Sequence, residues 1–189
     1  MSLDVLKKSL LEAPIVKKGD YSYVIHPITD GVPQIKPELL NDVIEEMHKR
    51  ILKCGSFDKI VTIEAMGIPL ASTLSIKMNI PFVIIRKRSY GLSQETKVEQ
   101  KTGYSKSNLY INGIKKGDRV IIVDDVLSTG GTLSAIISTL KKLDVKIVGI
   151  FIVVNKGKAT EKIYEKFKIK IDILTNIEVV DEKVVLKKI

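Results

Sequence analysis

Short apolar runs separated by segments of helical period dominate the chain after Gly55. Ile60-Val61-Thr62-Ile63, Phe82-Val83-Ile84-Ile85 behind Pro81, Val120-Ile121-Ile122-Val123 and residues 146–154 are nearly continuous in apolar character. Strands buried on both faces read in this way. Between them, residues 67–78, 132–143 and 160–167 place apolar side chains three and four positions apart, which predicts helices. Residues 169–174 predict another strand, and 177–180 with 184–186 an edge hairpin. Strands and helices in alternation predict an α/β fold with a mainly parallel central sheet flanked by helices.

The amino-terminal third is less regular. Residues 4–12 predict a short helix stopped by Pro14, and residues 15–17 and 22–25 short strands around Gly19-Asp20. His26-Pro27-Ile28-Thr29-Asp30-Gly31-Val32-Pro33 is too rich in turn formers for regular structure. Pro37 suits the first turn of a helix whose apolar positions are Leu39, Leu40, Val43, Ile44, Met47, Ile51 and Leu52. Residues 87–106 form a polar segment without strong periodicity, longer than most connections, before a strand at 108–111. A mobile loop over 87–106 is the expectation.

At 189 residues and 44% hydrophobic, the chain has material for one domain, 1–189, with a full core. Its lone cysteine, Cys54, excludes an intramolecular disulfide and reads as a half-buried small hydrophobe at a helix end. A reducing, cytoplasmic location is expected. No apolar run of membrane-spanning length occurs, and residues 1–14 lack the order of a secretory signal, so no membrane association is expected. The net charge of +9, from 31 Lys and Arg against 22 Asp and Glu, favours anionic partners and attracts polyphosphates. Lys7-Lys8, Lys141-Lys142 and Lys187-Lys188 read as solvated faces, and 5% aromatic residues without tryptophan give little for bases to stack on. Nucleic acid is therefore not the expected partner.

The chemistry concentrates where the apolar run 120–123 delivers Asp124-Asp125 into Val126-Leu127-Ser128-Thr129-Gly130-Gly131-Thr132 just before a helix. Unpaired amides and the positive dipole end of a helix start hold a phosphate dianion. Adjacent carboxylates suit sugar hydroxyls or a divalent cation. The pair is expected at an exposed strand end, beside the phosphate cradle, which points to a phosphorylated sugar. No GxxxxGK[ST] or GxGxxG occurs, so neither a Walker loop nor a dinucleotide fingerprint is present.

This strand, acidic pair and Thr-Gly-Gly-Thr loop resemble the signature of the type I phosphoribosyltransferases. The resemblance extends from about residue 15 to 156 and is nearest to the archaeal hypoxanthine/guanine members, close to the xanthine and adenine ones. It implies the type I phosphoribosyltransferase fold with a small amino-terminal hood, here residues 1–35. Asp124 and Asp125 would hold the ribose hydroxyls of phosphoribosyl pyrophosphate, and Ser128, Thr129, Gly130, Gly131 and Thr132 its 5-phosphate. Glu64-Ala65-Met66-Gly67, following a strand, matches the family's pyrophosphate loop, and Arg86-Lys87 its cations before a catalytic loop. In that loop Glu95, Glu99, Tyr104 and Lys106 are candidate contributors.

The segment Tyr23 to Asp30 resembles the hood of the xanthine and archaeal hypoxanthine-guanine members, implying that His26 lies near the purine edge. Lys156 matches a position that meets the purine 6-oxo group, where an ammonium disfavours adenine. The mammalian-type enzymes carry an aspartate where this chain has Ser128, and a serine hydroxyl is a poor base without an activating partner. The resemblance implies purine salvage: phosphoribosyl transfer from phosphoribosyl pyrophosphate to hypoxanthine or guanine. Adenine, then xanthine, are the alternative acceptors, and a purine-responsive regulator the alternative class. It also implies Mg2+ held mainly through the substrate, and a homodimer in which a neighbouring subunit can complete the loop.

Overall fold

The computed structural model describes residues 3–19, 21–101 and 106–187. Six strands form the main sheet in the order β10-β9-β8-β7-β3-β4. Their ranges are β3 Lys59–Ile63, β4 Phe82–Ile85, β7 Arg119–Leu127, β8 Lys146–Asn155, β9 Asp172–Val180 and β10 Lys183–Lys187. All neighbours pair in parallel except the edge strand β10, which runs antiparallel to β9.

Alternation along β7 explains why its sequence is apolar at every position from Val120 to Val123. Ile121 and Val123 pack towards α1 (Asp4–Leu11), α3 (Pro37–Ile51) and α4 (Gly67–Met78). Val120 and Ile122 point the other way, into the layer of α5 (Gly131–Lys142) and α6 (Ala159–Phe167). A strand covered on both faces has no side chain to spare for water. The connections β3-α4-β4 and β7-α5-β8 leave in opposite directions from the centre of the sheet, so β3 and β7 flank the crevice where ligands of open parallel sheets collect.

The amino-terminal segment contributes to this core as well as covering it. Leu6 and Leu10 of α1 are fully buried, and the Leu6 amide donates to Asp42 of α3 at 3.0 Å. β1 (Ile15–Lys18) and β2 (Tyr21–Val24) form an antiparallel pair, and α2 (Pro27–Asp30) packs on β7. No described helix is long and apolar enough to cross a membrane.

Four local differences from the sequence reading have physical reasons. α2 forms inside the turn-rich stretch because His26 caps it, its Nδ1 accepting the Ile28 amide at 3.2 Å. β7 continues through Asp124 and Asp125 to Leu127, because the backbone still pairs with Ile152, Val154 and Asn155 of β8. The two aspartates consequently lie within a strand, not at an exposed end; Asp125 is only 7% exposed. β9 starts at Asp172, after the 169–171 run, and passes unbroken through the polar Thr175-Asn176, which pair with Val154 and Asn155.

The fourth difference lies in residues 87–106, where Thr96–Lys101 forms β5 and pairs with β6 (Lys106–Ile111). Its period is hard to see because Val98 is its one buried apolar residue, sitting in the α5-side core with Leu109 and Ile111. The pair is tied to β4 through reciprocal Arg86–Tyr110 backbone bonds of 3.0 and 2.7 Å.

Candidate active site

The carboxyl ends of β3, β7 and β8 bring three loops together. Between β3 and α4, Gly67 is pressed so closely to β7 that an added Cβ would stand 2.7 Å from Asp124 Oδ1 and 2.1 Å from Thr62 Oγ1. The glycine lets the helix begin against the sheet and in doing so sets its amino-terminal amides beside the acidic pair. The Glu64–Ala65 peptide in this loop is cis.

Asp124 and Asp125 sit where water is scarce. Burial, with the adjacent charge of Asp125, holds the Asp124 carboxyl well above the usual carboxylate range. Burial likewise raises Asp125 to about 6, Asp30 adding to the effect while its hydrogen bond with Asp124 and the charge of Lys156 oppose it. A pair strained by charge in this way is stabilised by donors, and adjacent hydroxyl groups of a sugar supply them.

Past Leu127 the chain enters the loop 128–132. Gly130 takes a left-handed conformation, φ 76°, as N-cap of α5, and no side chain caps the helix. A Cβ at Gly130 would stand 2.9 Å from Ala159 Cβ and 3.3 Å from Ile163 Cδ1, because α6 packs directly on the loop. The first amides of α5 thus have no side-chain cap among the described residues, and Ser128, Thr129 and Thr132 belong to the same turn.

Lys156 follows β8, its amide held by the Leu127 carbonyl at 2.7 Å. Buried Asn155 fixes the turn through Nδ2, which donates to the Gly157 carbonyl and Asn176 Oδ1, both at 2.9 Å. Burial lowers the Lys156 pKa, and Asp30 and Asp125 resist that shift. Its Nζ lies 3.5 Å from the Val24 carbonyl of the hood. Lys156 also lines a cavity of about 580 Å³ bounded by β2, the start of α6 and β9, which lies beside the acidic pair rather than around it.

The remaining expected residues are placed differently. Glu64 does not face a pyrophosphate site freely: its Oε2 lies 2.8 Å from Arg86 Nε, off the N–H line, and its Oε1 accepts the Lys87 amide. It therefore orients Arg86 and Lys87 rather than meeting an anion of like charge. Ala65 is exposed, and the Met66 side chain turns towards Gly31.

His26 is fully buried. Its Nδ1 accepts from Ile28, and its Nε2 lies 2.9 Å from Ser9 Oγ, whose own hydrogen goes to the Leu6 carbonyl. That arrangement assigns the ring hydrogen to Nε2. Burial, then the charge of Lys156, lowers the ring to about 4, against the pull of Asp30. Both ring nitrogens are occupied in holding the hood turn, so His26 supports the site from beneath and does not present an edge to a base.

Glu95 is also committed, accepting from Asn112 Nδ2 and the Tyr90 amide, each at 2.9 Å, and from the Ser89 hydroxyl. Asn112, then Ser89 and the Tyr90 amide, lower its pKa to about 2, which removes it as a base at neutral pH. Glu99 is exposed, 3.8 Å from Lys97, on β5. Tyr104 lies outside the described residues, as does the side chain of Lys106.

Sequence reasoning passed over Asp30. The signal was available, since an aspartate four residues after the cap of a one-turn helix, next to glycine, is placed to bond back to the cap's amide. It does so here, Oδ2 accepting the His26 amide at 2.9 Å.

Residues 33–185 match the family described as the phosphoribosyl transferase domain. The chain belongs to the phosphoribosyltransferase family. A protein of Methanocaldococcus infernus named hypoxanthine/guanine phosphoribosyltransferase is 56% identical over 182 residues, covering 96% of this chain and 99% of that one. Its namesake in Methanocaldococcus jannaschii is 51% identical, with 96% and 99% covered. Among solved structures, adenine phosphoribosyltransferase of Thermoanaerobacter pseudethanolicus superposes with a TM-score of 0.74 at 23% identity, covering 92% of this chain and 99% of that chain. That likeness confirms the type I phosphoribosyltransferase fold expected from the signature. In this chain the two aspartates lie inside β7, three and two residues before its last residue, and the helix that follows, α5, has no side-chain cap.

Proposed function

We propose that this phosphoribosyltransferase moves the 5-phosphoribosyl group of phosphoribosyl pyrophosphate to hypoxanthine or guanine, giving IMP or GMP and pyrophosphate. The observation that carries the reading is the convergence of Asp124-Asp125, the uncapped start of α5 and the Lys156 ammonium at adjoining strand ends. In this reading the 5-phosphate rests on the amides of 130–132 and the ribose hydroxyls donate to Asp124 and Asp125. The pyrophosphate lies between the start of α4 and Arg86-Lys87. As a purine ring nitrogen attacks C1 of the sugar, the C1–O bond to pyrophosphate breaks, the leaving group departs towards those cations, and the imidazole proton of the base passes to water or to the departing pyrophosphate.

Mg2+ suits this site as an ion brought by the substrate, because the protein oxygens at hand are an acidic pair that substrate hydroxyls also claim; when bound, it neutralises the diphosphate. Glu64 serves by holding Arg86 towards the leaving group. Lys156 sets the acceptor class, since an ammonium can donate to a 6-oxo group but only crowds a 6-amino group.

The test offers purified enzyme equal concentrations of hypoxanthine, guanine, adenine and xanthine with phosphoribosyl pyrophosphate and Mg2+. IMP and GMP are the expected products; dominant AMP formation overturns the assignment.

The same reading includes a homodimer. Tyr90 and Leu92 are 54% and 59% exposed on the segment that follows Arg86, and Glu95 holds that segment in shape. A second copy covering it would order the residues next to the pyrophosphate cations. Light scattering with activity measured over a dilution series is expected to give twice the chain mass and a fall in specific activity on dissociation. A fully active monomer overturns this part.

A further inference from the structure

Asp30 closes α2 with an exposed carboxylate whose orientation is set. Its Oδ2 accepts the His26 amide at 2.9 Å and the Thr29 hydroxyl at 2.6 Å, while Oδ1 has no hydrogen bond or ion pair among the described residues. The buried His26 ring, bonded to Ser9 and Ile28, anchors the turn from the core side. Next to Asp30, Gly31 lies against the loop after β3, where an added Cβ would be 3.3 Å from Met66 Sδ. The Lys156 ammonium reaches the neighbouring hood carbonyl of Val24, and the charges of Lys156 and Asp125 both respond to that of Asp30. A rigid acceptor and a donor thus both meet the hood segment 24–30, whose helix α2 packs on β7, the strand of the acidic pair.

Resting on the 6-oxopurine reading above, we propose that Asp30 is a specificity-determining residue: its carboxylate accepts from purine N1–H, and from the 2-amino group of guanine, while Lys156 donates to O6. Hypoxanthine and guanine present an acceptor and a donor side by side on that edge, and guanine adds a second donor. Adenine reverses the order, with a donor at C6 and an acceptor at N1. Xanthine keeps O6 and N1–H but turns an oxo group at C2 towards the carboxylate, acceptor against acceptor. Such a mismatch is disfavoured because the base, once seated, takes the facing groups from water and leaves both members unpaired.

The experiment measures kcat/KM for the four bases at saturating phosphoribosyl pyrophosphate, with the full chain, for wild type and for Asp30→Asn and Asp30→Ser. Both variants keep a side-chain oxygen for the His26 amide. Asp30→Asn, which gains an Nδ2 donor, is expected to raise xanthine use at least ~10-fold and to lower guanine use by about the same factor. Asp30→Ser is expected to narrow the preference for guanine over hypoxanthine without the gain for xanthine. An equal fall for every base in both variants, or unchanged ratios, overturns the proposal and leaves the 6-oxopurine reading standing. A wild-type enzyme that makes neither IMP nor GMP overturns that reading, and this proposal with it.

Discussion

Gly67→Ala is expected to cost the enzyme at least ~10²-fold in kcat/KM, since a displacement of about an ångström at a positioning element has that effect. It is also expected to lower stability by about 1–3 kcal/mol, the usual range for overpacking. A single methyl group achieves both because of where it lands. Its Cβ would stand 2.1 Å from Thr62 Oγ1 and 2.7 Å from Asp124 Oδ1, distances no side chain tolerates. Thr62 is fully buried, and its hydroxyl has no hydrogen-bond partner among the described residues, so rotating it away moves it into other core atoms. The alternative is for α4 to retreat from β7. That retreat carries the amides at the start of α4 away from the acidic pair.

A double-mutant cycle separates the two contacts. Thr62→Ala removes the shorter clash, so Gly67→Ala/Thr62→Ala is expected to recover part of the stability lost, while activity stays low because the Asp124 contact persists. Chemical unfolding and IMP formation measured on the four proteins check this. Wild-type stability and activity in Gly67→Ala alone would show that the close approach of α4 to β7 is not required.

The same close approach marks the boundary of what was legible in the chain. Runs buried on both faces, such as Val120 to Val123, announce themselves in sequence because every position must be apolar, and the parallel sheet followed from them. Asp124-Asp125 and the loop 128–132 stood out as candidates because two charges and a Ser/Thr/Gly turn directly follow such a run, but the burial of the pair within β7 was not legible, since the run 120–123 gave no sign that the strand continues through them. β5 was not legible, because a strand with one inward apolar residue, Val98, carries almost no period.

Side-chain commitments were not legible either. Nothing in the order of residues says that Glu64 is taken by Arg86 and Lys87, Glu95 by Asn112, Ser89 and Tyr90, or the His26 ring by Ser9 and Ile28. Each of these bonds joins residues whose proximity depends on turns or tertiary contacts. A titratable residue near a motif therefore reads as chemistry until the partners that occupy it are known. Asp30 is the reverse case, an ordinary turn aspartate in sequence that folding carries to the edge of the site.

Asp124→Asn and Asp125→Asn are each expected to lower kcat/KM for phosphoribosyl pyrophosphate by ~10²-fold or less, the worth of a charge-assisted bond to a ribose hydroxyl. Both are expected to make the unliganded protein more stable at neutral pH. The pair lies inside β7 and not at an exposed end, so its charge is held at a cost that the neutral amides do not carry.

The pH dependence distinguishes this from a generic effect. Asp125 keeps its proton up to about 6 in the folded chain, against the ordinary value of 3.8, and Asp124 is raised as well. Between those two values the folded state binds more protons than the unfolded chain, so the stability supplied by protonated Asp125 is complete below about 3.8 and is lost as pH rises through about 6. Asparagine has no proton to lose, so the advantage of Asp125→Asn over wild type should be small at pH 4 and grow to a plateau above about pH 6, on the order of 1–3 kcal/mol, and that of Asp124→Asn should grow in the same direction. Urea unfolding from pH 4 to 8, without ligand, reads the difference directly. An advantage that shrank as pH rose would mean that the carboxylates are stabilised in their charged form, and the account of the pair as a site waiting for hydroxyl donors would fall; saturating phosphoribosyl pyrophosphate with Mg2+ should instead stabilise wild type more than either variant, because binding to the folded state alone adds stability by mass action.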